Sequence, residues 1–125
     1  MTERTWPAGA LERLRVEREV RIRTSDADGD EHIAIIWAVV DDRDRVLVRS
    51  WKGAGARWFR EATAGRPVAL LVGDDVHDVI VHDATDADRV AACSAELARK
   101  YAGDPATASM VRDEILDTTL ELTPA

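Results

Sequence analysis

A chain of 125 residues, 46% hydrophobic and 33% charged, can enclose one modest core and is too rich in apolar side chains to stay disordered. Its formal charge of −7 speaks against general nucleic-acid binding, which needs a broad basic face to displace counterions from phosphate. No apolar run approaches the roughly 20 residues of a membrane span, and a single cysteine, Cys93, excludes an internal disulfide.

The opening stretch, MTERTWPAGALERLRVERE, lacks the apolar centre of a secretory leader. One cytoplasmic domain covering residues 1–125 is therefore expected. A first helix runs from Ala8 to Val16, with Leu11 and Leu14 as a thin apolar stripe and Pro7 at its entry. Glu19 to Thr24 alternates apolar and basic residues, the pattern of a half-exposed strand with Val20 and Ile22 inward. The segment SDADGD follows and has only the outline of a calcium loop. Counted from Asp26, Gly29 falls two places early and Trp37 stands where the bidentate glutamate belongs, so a hairpin loop without metal is expected.

His32 to Val40 (HIAIIWAVV) is the most apolar stretch and reads as one central strand. Ile33, Ile35, Trp37 and Val39 share one face, and Ala34, Ile36, Ala38 and Val40 share the other. Both faces need cover: one from the core, the other from a helix or a second subunit. Asp41 to Asp44 makes a tight polar turn, and Arg45 to Ser50 returns as the next strand.

A helix from Ala56 to Ala64 carries Trp58, Phe59 and Ala62 inward and stops at Gly65, with Pro67 beyond. Pro67 to Val72 and Val76 to His82 are two strands joined through Gly73, Asp74 and Asp75. Thr85 starts an amphipathic helix with Asp86 and Asp88 in its first turn and Val90, Cys93 or Ser94, Leu97 and Tyr101 as its stripe. Among its alanine neighbours Cys93 reads as a small buried thiol rather than a nucleophile. Asp104-Pro105 opens a shorter helix to about Asp113, and Asp117 to Leu122 closes as a strand before Pro124. Six strands in antiparallel hairpins, with a helix inserted and others near the ends, give a mainly-β α+β domain, a small barrel.

Two chemistries can be set aside. His77 and His82 lie among aspartates, but five residues apart on a strand they sit roughly 16 Å apart on opposite faces and cannot share an ion. No metal ligands are assigned. No nucleophile elbow or Cys–His pair is present, and Gly53-Ala54-Gly55 lacks the Gly-Lys-Ser/Thr of a phosphate-binding loop, so catalytic residues are unassigned.

The stretch RVLVRSWKGAGARWFR, Arg45 to Arg60, carries the chemistry that is left. It holds five basic residues (Arg45, Arg49, Lys52, Arg57 and Arg60) and no acidic one, with Trp51 and Trp58 between them. A strand, a small-residue loop and a helix start in that order gather backbone N–H groups and cationic side chains around one spot, which suits a phosphate or another anion. The same charges also suit pairing with surface carboxylates, which this chain supplies in plenty. Trp51 and Trp58 fit either a wall for a flat ring or ordinary packing, and Trp37 fits packing. Trp51 alternates with Leu47 and Arg49, so it points out of the barrel toward a partner.

REVRIRTS, the tryptophan-containing apolar strand, VLVRSWKGAGARWFREATAG-RPVAL, the late KYAGD and the closing TTLEL-TP together resemble a family of uncharacterised small proteins. That family belongs with the pyridoxamine-phosphate-oxidase-like and deazaflavin-dependent nitroreductase split barrels. The most specific piece is VRSWKG…RWFREA; the likeness covers nearly the whole chain. It implies a six-stranded antiparallel split β-barrel of the flavin-reductase type, a homodimer, and FMN or a deazaflavin coenzyme in a groove at the subunit interface. It also implies that Arg49, Ser50, Lys52 and Gly53, followed by Arg57 and Trp58, hold the cofactor phosphate. The function implied is a flavin- or deazaflavin-dependent oxidoreductase acting on a small molecule. The alternative is a non-catalytic dimeric split barrel whose groove takes another anionic small molecule or no cofactor.

Overall fold

The computed structural model describes residues 5–125; residues 1–4 lie outside it, so the expectation that the opening stretch is not a secretory leader falls partly outside as well. Among these residues seven strands form one antiparallel sheet: β1 (Val20–Ser25), β2 (Glu31–Ile36), β3 (Ala38–Val40), β4 (Val46–Val48), β5 (Val68–Val72), β6 (Asp75–Asp83) and β7 (Leu120–Pro124). Four α-helices accompany them: α1 (Ala10–Val16), α2 (Arg57–Ala62), α3 (Ala87–Lys100) and α4 (Thr107–Met110).

The strand order is β2-β1-β5-β6-β7-β4-β3. Its two edges, β2 and β3, are consecutive in the chain and separated by one residue, Trp37. A sheet whose opposite edges are tied by a single residue has to curl on itself. Ile36 pairs with Val20 on one side of the split and Ala38 with Val48 on the other. The apolar stretch expected as one strand is therefore two, which raises the count from six to seven. The cause is a change of hydrogen-bonding partner, which side-chain alternation does not record.

The alternation itself survives the break. Ile36, Ala38 and Val40 face the barrel interior with Val20, Ile22, Val46, Val48, Leu70 and Leu122, and Ala34 packs against the same core. On the other side Val39 and Leu47 join Cys93, Leu97, Tyr101, Met110 and Ile115 in a second core under α3. Each fully buried Leu, Ile or Val contributes about 1.5–3 kcal/mol. Nothing among the described residues covers Ile33 and Ile35, which are 55% and 61% exposed.

Asp86 caps α3, its side chain accepting from the backbone N–H of Arg89, one position after the expected start at Thr85. The last strand begins at Leu120, later than expected. Residues Asp113–Thr118 wind as a 3-10 turn because the Thr118 and Thr119 hydroxyls donate to the carbonyls of Ile115 and Leu116, each at 2.7 Å. No helix among the described residues is long and apolar enough to cross a membrane.

Candidate functional site

At the exit of β4 the chain buries two polar residues in succession. Ser50 is spent on local structure: its backbone N–H donates to Thr118 Oγ1 at 3.0 Å, and its hydroxyl donates to the Gly53 carbonyl at 2.7 Å. The turn this closes needs Gly53 at φ 76, in the left-handed region that a side chain disfavours. Residues Gly53–Gly55 then form a 3-10 turn, and α2 follows with only six residues. A helix that short has a weak dipole, so the side chains carry the positive charge of this corner.

Arg49 is 1% exposed. Its Nε donates to Thr119 Oγ1 at 2.9 Å, one terminal nitrogen to Ser94 Oγ at 2.8 Å and to the Met110 carbonyl at 3.0 Å, and the other to the Val90 carbonyl at 3.1 Å. All four acceptors are neutral. Burial lowers the guanidinium pKa, with Cys93 opposing, and the positive charge has no carboxylate to offset it.

Beside Arg49 opens a groove of about 460 Å³. One wall comes from β2 and the residue after it, through His32, Ile33, Ile35 and Trp37. The other comes from the turn and α2, through Trp51, Lys52, Arg57 and Trp58. Of the six expected cofactor contacts, Arg49, Lys52, Arg57 and Trp58 line this groove, whereas Ser50 and Gly53 belong to the turn behind it. The Lys52 and Arg57 side chains are exposed and make no hydrogen bond or ion pair with any described residue. Arg45, from the same basic stretch, is committed elsewhere, to Asp41 and Asp88. Trp51 is 53% exposed and, with Ile33 and Ile35, makes an uncovered apolar rim. Trp37 stacks on Tyr101 and still borders the groove.

Sequence reasoning missed a polar set at one end of the groove. Glu61, 6% exposed, accepts from Thr24 Oγ1 at 2.8 Å, and its two carboxylate oxygens lie 3.0 and 3.1 Å from His32 Nδ1. Burial would raise the Glu61 carboxyl pKa, but the hydrogen bonds with His32 and Thr24, helped by the nearby Arg57 charge, outweigh it and hold the group below its ordinary value. A signal was present in the sequence. Glu61 shares the inward stripe of α2 with Trp58 and Ala62, and a carboxylate on such a stripe requires a buried partner. His77 and His82 are occupied separately, His77 edge-on to Trp6 and His82 against Thr123.

A family model described as an uncharacterised protein conserved in bacteria (DUF2255) matches residues 10–122. No curated protein sequence matches the chain. Among solved structures, the heme storage protein HutZ from Vibrio cholerae superposes with a TM-score of 0.69 at 14% identity, covering 94% of this chain and 89% of that one. An F420 reductase superposes with a TM-score of 0.62 at 15% identity, covering 96% of each chain. A candidate pyridoxamine 5'-phosphate oxidase from Lactobacillus delbrueckii gives 0.59 at 15% identity, over 97% of this chain and 91% of that one. At such identities the likeness is one of fold: these proteins and the present chain share the split barrel.

Proposed function

The chain belongs to the DUF2255 family of bacterial proteins, and from that premise we propose that its groove binds a flavin-type cofactor, FMN or a deazaflavin, in an oxidoreductase that works as a homodimer. The observation that carries this reading is the state of Lys52 and Arg57. In a chain with 24 acidic and 17 basic residues, two cations at the edge of an apolar groove make no hydrogen bond or ion pair with any described residue, and Arg57 senses only the nearby charge of Glu61. An anionic tail paired with them, beside the uncompensated charge of Arg49, gains charge-assisted hydrogen bonds. The tryptophans and isoleucines offer flat apolar walls to a ring system, and the volume lies within the usual range for small-molecule sites. The F420 reductase and the candidate oxidase among the fold neighbours favour the same ligand class.

In this reading the cofactor supplies hydride transfer, and the protein supplies grip, orientation and exclusion of water. Lys52 and Arg57 hold the phosphate. Trp51 and Trp58 shield the ring. A second copy of the chain covers the edge formed by Ile33, Ile35 and Trp51, which supports the dimer because an apolar sheet edge left bare invites pairing.

A second reading keeps the fold and fills the groove with another flat, anionic, apolar molecule. The same two cations and apolar walls suit heme, and HutZ by name stores heme. Titration of the purified protein with FMN, with deazaflavin coenzyme and with hemin, followed by absorbance and tryptophan quenching, separates the two. Saturable flavin binding that weakens about tenfold or more in Lys52→Ala or Arg57→Ala fits the first reading, since a hydrogen bond to a charged group is worth about 1.5–3 kcal/mol. Hemin binding without flavin binding fits the second. Binding of neither overturns both.

A further inference from the structure

We propose that Asp26, His32 and Glu61 form a binding site for a divalent first-row transition metal ion at the end of the groove. The inference does not rest on the identity of the groove's ligand. Three elements bring the residues together: the loop after β1, the start of β2, and α2. Each side chain offers a ligand atom within 4.8 Å of the other two. Ligand atoms around one tetrahedral ion at 2.0–2.2 Å lie about 3.3–3.6 Å apart. Glu61 meets His32 at Nδ1 and Asp26 faces Nε2, so a turn of the imidazole together with Asp26, the most exposed of the three, gathers the set.

The three groups are oriented before any ion arrives. Asp26 Oδ1 accepts from the backbone N–H groups of Asp28 and Asp30 at 2.9 and 3.0 Å, while Oδ2 lies 4.0 Å from His32 Nε2. Glu61 is fixed by Thr24 Oγ1 at 2.8 Å, the kind of outer hydrogen bond that sets the direction of a ligating carboxylate. One imidazole nitrogen with two carboxylates suits manganese, iron or zinc better than calcium or magnesium, which take oxygen alone. Thr24 and His32 line the groove, so an ion held here borders the ligand space. The set differs from the calcium-type pattern already discounted, because Glu61 comes from outside that loop and the His32 imidazole is not a calcium-type ligand.

The test is calorimetric titration of the wild-type protein with Zn²⁺, supported by the visible absorption of added Co²⁺. The expected result is one saturable site per chain. Affinity should fall at least about tenfold in His32→Gln and in Asp26→Asn, since even outer-shell changes cost 10–100-fold. His82→Gln, a surface histidine against Thr123, should leave it unchanged. Circular dichroism of each variant confirms that it is folded, and half-exposed Asp26 provides a ligand whose loss leaves the core intact. Absence of saturable binding to the wild type overturns the proposal, as does equal affinity in the wild type and both ligand variants.

Discussion

The rings of Trp37 and Tyr101 lie face to face, 3.8 Å between centroids and 5° from parallel. Trp37 is the one residue between the two edge strands, and Tyr101 ends α3, so this stack pins the helix against the split of the barrel. The Tyr101 hydroxyl donates to the Arg18 carbonyl at 2.7 Å, and the Arg18 and Lys100 cations sit 5.3 and 5.2 Å from its ring. Trp37→Ala should cost about 2–4 kcal/mol in urea denaturation, from lost burial and a broken stack. A cost below about 0.5 kcal/mol would mean that the split is held by other contacts.

Arg49 offers a second test of packing. Removing it strands four acceptors in the interior, so Arg49→Ala should destabilise by about 3–5 kcal/mol. Arg49→Lys keeps the charge but cannot reach all four in one plane, and should recover less than half of that loss. Full recovery by lysine in thermal melts would show that charge, not the planar fork, is what the site needs.

Cys93 is buried, and desolvation is the leading cause that pushes its thiol pKa up to about 11. The thiolate is the reactive form, so native protein at pH 8 should label with iodoacetamide only at the rate of unfolding. Labelling in urea should be rapid. Fast labelling of the native state would contradict the buried placement.

Lys100 titrates in the opposite sense. Desolvation, then the nearby Arg18 charge, pulls its pKa down to about 8, although Nζ donates to the Leu14 and Ala38 carbonyls at 2.7 and 2.6 Å. Between pH 8 and the ordinary lysine value of 10.5 the unfolded chain binds the proton and the folded chain does not, so this group's contribution to stability rises with pH. Cys93, its pKa raised from 9.0 to about 11, contributes a fall between those values, which overlaps the upper part of the Lys100 interval. Subtracting the melting temperatures of Lys100→Met from those of the wild type removes the cysteine effect. That difference should grow from pH 7.5 to 10; a flat or falling difference would contradict the burial of Lys100.

How much of this was legible in the sequence depends on the range of the interaction. The two-faced apolar stretch Ile33 to Val40 showed its inner and outer residues correctly, because alternation is local. Its break at Trp37 did not show, because β2 pairs with β1 and β3 with β4, and the partner exchange is a property of the sheet. Thr118 and Thr119 looked like strand residues by propensity, yet their hydroxyls bond back to the turn behind them. At the groove, charge contrast pointed to Arg49, Lys52 and Arg57, while Ser50 was drawn to a nearer acceptor at Gly53. The His32–Glu61 contact joins residues 29 apart, and no short motif encodes it.

The role proposed for Lys52 and Arg57 is to hold the anionic tail of a flavin-type ligand. It is tested most directly by comparing the dissociation constants of FMN and riboflavin, which differ by the phosphate, in the wild type and in the Lys52→Ala, Arg57→Ala double variant. The wild type should prefer FMN by about tenfold or more, and the double variant should bind the two alike. Equal affinity for FMN and riboflavin in the wild type, or a preference that survives in the double variant, would contradict it.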